Sequence, residues 1–224
     1  MTAGIARRRF LHYRQKRVKP AEGISGVVLA GGQSRRIGTD KALLPILGKP
    51  LIVRAVTTLA ELSDDLLVVT SSPARYEELG LPARIVADDR PGYGSLMGVY
   101  TGLKQARHPH ALVVACDMPF LSLPLLRYMI SLAAGHDVVI PGVDDTLEPL
   151  HAIYGKGCLG PIERQLEAGE RRIVRFLPEV IVRVVGAAEI DRLDPQRLSF
   201  LNVNTPEDWS KIQELASTGS SSPR

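Results

Sequence analysis

Five short runs of apolar, β-branched residues recur along the chain, at 24–30, 66–70, 84–87, 111–115 and 137–140. Several are apolar at every position rather than at every second one. A strand of that kind must be covered on both faces, which is the condition of a parallel sheet sandwiched between helices. The intervening stretches supply the helices, over 50–62, 73–79, 96–107 and 124–134. Pro50, Pro73 and Pro124 stand where proline is tolerated, in a first helical turn. Strand–helix alternation therefore predicts an α/β fold, an open and mostly parallel sheet flanked by helices.

After Pro141 the rhythm changes. Residues 149–154 and 180–185 read as strands, and 160–168 and 206–215 as helices, the last entered from Asn204 or Thr205 as N-cap. No linker and no internal repeat interrupts residues 23–215, which read as one domain.

Charge is unevenly spread. Residues 7–19, RRRFLHYRQKRVK, hold seven Lys or Arg and no acid, and without them the net charge of +4 becomes −3. Residues 1–22 are expected to be a disordered basic arm and 216–224 a polar, frayed tail. No apolar run approaches the roughly 20 residues that span a bilayer. The two cysteines, Cys116 and Cys158, show neither metal nor disulfide spacing, which suits a reducing cytoplasm.

In open α/β sheets ligands gather beyond the carboxyl ends of the strands. The first such end is the most telling. Strand 24–30 runs into Gly31-Gly32, then Arg35, Arg36 and Lys41. Backbone N–H groups in a glycine turn make an anion nest, and arginine and lysine add full charge, an arrangement suited to a polyphosphate. The spacing is neither G-x-x-x-x-G-K-[ST] nor G-x-G-x-x-G, so neither a P-loop nor a dinucleotide fingerprint is present. Read alone, the stretch is as readily a turn with solvated arginines.

Asp117 ends strand 111–115, where a carboxylate facing bound phosphates would hold Mg²⁺; alone, it is equally a loop or cap residue. Asp88 and Asp89 precede RPGYGSLMG, whose Gly92, Gly94 and Gly98 would let backbone approach a nucleobase or ribose. Asp144, Asp145 and Glu148 could bind a second metal, but read more simply as a solvated acidic loop. His151, in the apolar run PLHAIY, reads as a satisfied and partly buried histidine, and Cys116 as a small buried residue.

Together these stretches resemble the molybdenum-cofactor guanylyltransferases, a branch of the nucleotidyltransferases with a Rossmann-like fold. VVLAGGQSRRIGTDKALLPILGKPL is similar to that family's LAGG-x-S-x-R-M-G-x-D-K and G-K-P-L. DDRPGYGSLMG, ACDMPFL, PLHAIY, GERRIVRFL and LNVNTPEDW follow in the family's order, so the resemblance spans residues 24 to about 210. GERR and NVNTPE are the parts specific to the branch. Two departures stand out. Ile37 replaces a usual Met, and Ser95-Leu96-Met97 replaces Pro-Leu-Ala, so that Met97 is expected to narrow the wall beside the base.

The resemblance implies transfer of GMP from GTP to the molybdenum-bearing molybdopterin, with Mg²⁺ as cofactor and pyrophosphate as leaving group. Leu29, Ala30, Gly31 and Gly32 would contact the nucleotide through backbone, Lys41 and Arg36 its phosphates, and Asp88 its guanine or ribose side, with Thr70 at a further nucleotide-contacting position. Asp117 would hold the metal and the nucleotide. Asn202 and Asn204 would face the molybdopterin, with Arg171 and Arg172 nearby. Lys41, Arg36 and Asp117 would carry catalysis, and the product would pass to molybdoenzymes or their chaperones. Nucleic acid is not an expected partner unless the basic arm is the binding element. The same residues also admit cytidylyl transfer to molybdopterin, nucleotidyl transfer to a sugar phosphate, or a non-catalytic carrier of nucleotide and cofactor.

Overall fold

The computed structural model describes residues 23–31 and 40–219. In chain order the elements are β1 (Ile24–Leu29), β2 (Pro45–Ile46), β3 (Lys49–Pro50), α1 (Leu51–Ala60), β4 (Asp65–Thr70), α2 (Ala74–Glu77), β5 (Arg84–Ala87), α3 (Ser95–Gln105) and β6 (His110–Ala115). There follow α4 (Leu123–Ser131), β7 (Val138–Val143), β8 (Thr146–Leu147), β9 (His151–Gly155), α5 (Leu159–Glu167), β10 (Val182–Val185), α6 (Ala187–Leu193) and α7 (Pro206–Gly219). Every residue of β1 and β4 is buried, and the polar pair among them is satisfied, since Ser25 Oγ donates to Asp65 Oδ2 at 2.6 Å. The main sheet runs β10-β7-β9-β6-β1-β4-β5, with β8 paired to β7 alone. β1 pairs in parallel with both β4 and β6, β4 with β5, and β7 with β10.

Successive side chains of the strands enter opposite cores. Val28, Val68 and Val114 meet Ile52, Val56 and Leu59 of α1 and Leu125, Leu126 and Met129 of α4. Val27, Val69 and Val113 meet Leu96, Val99 and Leu103 of α3 and Ile162 and Leu166 of α5. In α1 the buried positions are Leu51, Ile52, Ala55, Val56 and Leu59, the three- and four-residue spacing that puts one helix face on the sheet. Pro50 and Pro73 prove to be N-cap residues, while Pro124 lies in the first turn of α4, behind the Ser122 side chain that caps it.

α3 approaches β1 closely. A Cβ at Gly102 would lie 2.6 Å from Val27 Cγ1, and one at Gly98 would lie 3.3 Å from Leu29 Cδ2. Gly98, expected to admit a ligand, instead admits the strand beneath the helix. Met97, expected beside the base, is 2% exposed and packed in the α3 core.

The structure departs from the expected pattern in its second half. β9 is antiparallel to both β6 and β7. β7 turns tightly into β8, with Asp144 and Asp145 at φ 46° and 63°, and the residues left before His151 are too few for the roughly dozen a parallel crossover takes. α2 is shorter than expected, α6 was not anticipated, and α7 continues past residue 215 to Gly219.

A small hairpin, β2–β3, also escaped the pattern. Leu47 and Gly48 form its turn with φ of 50° and 74°. It packs against α7 in a third core of Ile46, Leu51, Val203, Ile212 and Ala216, edged by Phe120 and Trp209. No helix among the described residues is long and apolar enough to cross a membrane.

Candidate active site

The chain leaves β1 for β4 and β5 on one side, then crosses through α3 to β6 on the other. The carboxyl ends of β1 and β6 therefore flank the crevice where an open α/β sheet reverses its winding. Cys116 N–H donates to Leu29 O at 3.1 Å, so β1 and β6 emerge side by side, and Ala30 N–H donates to Val69 O at 2.9 Å, which keeps β4 on the other flank. Gly31 lies at this rim, exposed, and a Cβ there would meet no atom of the described residues within 4 Å.

Lys41 opens a short 3-10 turn, Lys41–Leu43, capped by the Asp40 side chain. From there its ammonium reaches across the crevice. Nζ donates to Asp117 Oδ2 at 2.8 Å and to Asn204 Oδ1 at 3.0 Å. The side chains of Lys41 and Asp117 are 20% and 17% exposed, sheltered yet open to solvent on one side. Val203 N–H donates to Asp117 O at 3.0 Å, which docks the 200–204 segment on the end of β6.

The entry to α7 is locked reciprocally. Asp208 Oδ2 accepts from the N–H groups of Asn204 and Thr205, and Thr205 Oγ1 accepts from Asp208 N–H. Thr205 is therefore the cap, and Asn204 is left to face Lys41.

On the β4–β5 side, Asp88 N–H donates to Thr70 O at 2.8 Å. Thr70 is buried and its Oγ1 accepts from Ser72 N–H at 3.1 Å, so the hydroxyl serves its own turn. Asp88 is half-buried, and desolvation holds its carboxyl above the usual aspartate range. Gly94 precedes α3 with φ 81°, a conformation that favours glycine, and no acid stands in the helix's first turn.

A family model for the MobA-like NTP transferase domain matches residues 26–182. The chain belongs to the MobA-like NTP transferase family. A probable molybdenum cofactor guanylyltransferase of Pelotomaculum thermopropionicum is 39% identical over 192 residues, 86% of this chain and 93% of that protein. A molybdenum cofactor guanylyltransferase of Desulfosudis oleivorans is 35% identical over 200 residues, 88% and 98% of the two chains. Molybdopterin-guanine dinucleotide biosynthesis protein A from Archaeoglobus fulgidus superposes with a TM-score of 0.76 at 29% identity, covering 87% of this chain and 100% of that one. The open, mostly parallel sheet is thus that of a nucleotidyltransferase.

Within this MobA-like frame the expected residues separate into groups. Lys41, Asp117 and Asn204 come together. Leu29 and Ala30 are buried at the root of the glycine turn, and Gly32, Arg35 and Arg36 lie outside the described residues. Arg171, expected near Asn204, has other partners. Its Nη1 donates to Gly92 O at 3.1 Å and its guanidinium lies 4.9 Å from the centre of the Tyr93 ring. It thereby ties the GERR segment to the loop after β5. Arg172 is an exposed ion-pair partner of Glu170 at 3.6 Å, and Asn202 Nδ2 donates to Phe200 O at 3.3 Å.

The acidic loop is committed elsewhere, since Asp144 pairs with Arg197 at 3.0 Å. Among the described residues no group of three or more His, Cys, Asp or Glu could hold a metal. Cys116 is buried and burial pushes its thiol upward, which removes it as a nucleophile. His151 is more deeply buried than its sequence suggested, at 0% exposure.

Asp40 and Asp208 were missed. A cap signal marks both, an aspartate directly before a helical turn and a Thr-x-x-Asp step at a helix start.

Proposed function

We propose that this chain transfers GMP from GTP to the terminal phosphate of molybdenum-bearing molybdopterin, releasing pyrophosphate. One observation carries the reading: Lys41, Asp117 and Asn204 converge at the carboxyl ends of β1 and β6. A cation, a carboxylate and an amide at the winding reversal are the parts that phosphoryl chemistry needs, and the names of the relatives supply the two substrates.

In the reaction an oxygen of the acceptor phosphate bonds to the α-phosphorus of GTP. The bond from that phosphorus to the oxygen bridging the β-phosphate breaks, and its electron pair leaves with pyrophosphate. The acceptor phosphate is already an anion at neutral pH, so no general base is required. What remains for the protein is alignment and charge neutralisation. Leu29, Ala30 and Gly31 offer backbone to the nucleotide at the open rim. Lys41 turns from Asp117 and Asn204 to the phosphate oxygens and stabilises charge gathering on the leaving pyrophosphate. Asn204 then faces the acceptor. Asp88 and the Gly92–Gly94 loop, held by Arg171, border the base.

Asp117 fits a hard cation. It offers a partly exposed carboxylate beside the Lys41 ammonium, and Mg²⁺ takes one or two carboxylates and completes its shell with phosphate oxygens and water. Bound there, Mg²⁺ would neutralise phosphate charge and template the attack.

The test is product analysis. Incubation with GTP, Mg²⁺ and molybdenum-bearing molybdopterin should yield the guanine dinucleotide form of the cofactor by mass spectrometry, with one pyrophosphate for each molecule formed. Retention of intact GTP on the protein with no dinucleotide would refute the reading.

A further inference from the structure

The Lys41 ammonium is useful to chemistry only if the turn that carries it is held still. That turn is three residues long, Lys41–Leu43, and it follows directly on Asp40. A turn so short does not hold itself in place. Ala42 anchors it in the core, and the Asp40 carboxylate ties its amino end to α2. Asp40 Oδ1 accepts from Ala42 N–H at 3.1 Å, closing the turn from its amino end. Its Oδ2 accepts from the Tyr76 hydroxyl at 2.8 Å and from Arg75 Nη1 at 3.4 Å.

The two partners on α2 are unequal. The Arg75 side chain is 62% exposed, and an ion pair that open to solvent holds little. Tyr76 is 2% exposed, with its ring packed in the core under α1, so its hydroxyl is a donor fixed by the body of the fold. Burial, and then the Asp40 carboxylate, push the Tyr76 phenol upward, which keeps the proton on it at any physiological pH.

We propose that Tyr76 and Asp40 are positioning residues for Lys41: the buried phenol fixes the Asp40 carboxylate, and that carboxylate fixes the turn that aims Lys41 at the nucleotide's phosphates. Neither side chain touches the reacting atoms, and both act through Lys41. The inference rests on the nucleotidyl-transfer reading for its kinetic consequence, but the latch itself is a property of the fold. It also gives α2 a purpose, since this four-residue helix brings Tyr76 to the foot of the crevice.

Tyr76→Phe keeps the ring and removes only the hydroxyl. The expected result has two parts. Turnover falls about 10- to 100-fold, as for a catalytic group displaced by about an ångström, while KM for the acceptor stays unchanged. In parallel, hydrogen exchange at the Ala42 amide of the free enzyme quickens about tenfold. Asp40→Asn, which keeps an oxygen for Ala42, should be milder than Asp40→Ala in both measurements. It takes the place of Tyr76→Phe should that variant not fold. A tyrosine serving only the core would lower melting temperature and leave both measurements unmoved. Turnover and Ala42 exchange both like wild type would overturn the latch, and so would lost turnover with unchanged exchange. Should the wild-type chain release no pyrophosphate, the transfer reading fails, and the latch is judged by exchange alone: faster exchange upholds it and unchanged exchange overturns it.

Discussion

Lys41 Nζ stands 2.8 Å from Asp117 Oδ2 and 3.0 Å from Asn204 Oδ1, joining residues 76 and 163 positions apart in the chain. One ammonium thus links the end of β1, the end of β6 and the entry to α7. On the proposed reading, truncating it removes the charge that meets the leaving pyrophosphate. Lys41→Ala should slow steady-state pyrophosphate release by at least about 100-fold, the scale of losing one preorganised electrostatic donor. A rate near wild type would remove Lys41 from the chemistry.

Asp117 holds the fold through its backbone, whose carbonyl accepts from Val203 N–H. Its side chain meets Lys41 at the site instead. Asp117→Ala should therefore keep its circular dichroism spectrum and melting temperature while losing the dependence of rate on Mg²⁺ concentration. An ordinary Mg²⁺ titration curve in the variant would show that the metal sits elsewhere.

The two glycines of α3 should respond differently to alanine. Replacing a helical glycine gains about 1 kcal/mol. At Gly98 the neighbour is the flexible end of Leu29 at 3.3 Å, which can move a few tenths of an ångström, so that gain should roughly balance the crowding. At Gly102 the new Cβ would stand 2.6 Å from a methyl of Val27, a β-branched residue in the middle of β1. Overpacking there should cost about 1–3 kcal/mol net of relaxation. Urea denaturation of both variants measures the contrast, and equal stabilities would contradict the close approach of α3 to β1.

His151 makes stability depend on acid. It is 0% exposed, lies 5.1 Å from the Phe200 ring, and neither of its ring nitrogens has a hydrogen-bond partner among the described residues. Burial lowers its pKa to about 4, with the Asp194 carboxylate pulling weakly the other way. The folded state thus binds fewer protons than the unfolded chain between about 6.5 and about 4. The contribution of His151 is intact above that window and is lost as pH falls through it, at up to about 1.4 kcal/mol per pH unit. Asp88 and Glu148, whose carboxyls burial raises, act in the opposite direction at the acid end. Comparing wild type with His151→Leu isolates the histidine. The variant should match or exceed wild type at neutral pH, because it buries no unpaired polar atom. Its advantage should then grow as the pH drops. Parallel loss of stability in the two proteins would contradict this account.

The central strands were legible because being covered on both faces leaves consecutive apolar residues, as at 27–29 in β1, 66–69 in β4 and 111–115 in β6. The site was legible where a strand end carried an unusual residue, as at Gly31, Lys41 and Asp117. Strand direction was not, since β9 carries the same apolar pattern whichever way it runs, and only the shortness of its connection to β7 decides. The purpose of Gly98 was misread because a glycine near a loop and a glycine facing a strand look alike singly. Paired with Gly102 one helical turn on, it shows a packing face. The contact of Arg171 with Gly92 and Tyr93 was not legible, because the partner of a guanidinium is chosen by tertiary packing.

The most direct test of the transfer reading is pyrophosphate release from GTP, CTP, ATP and UTP in turn, with Mg²⁺, in the presence and absence of molybdenum-bearing molybdopterin. Release from GTP alone, and only with the acceptor present, is the predicted result. Release from CTP alone, or from no nucleotide although GTP binds, would contradict it.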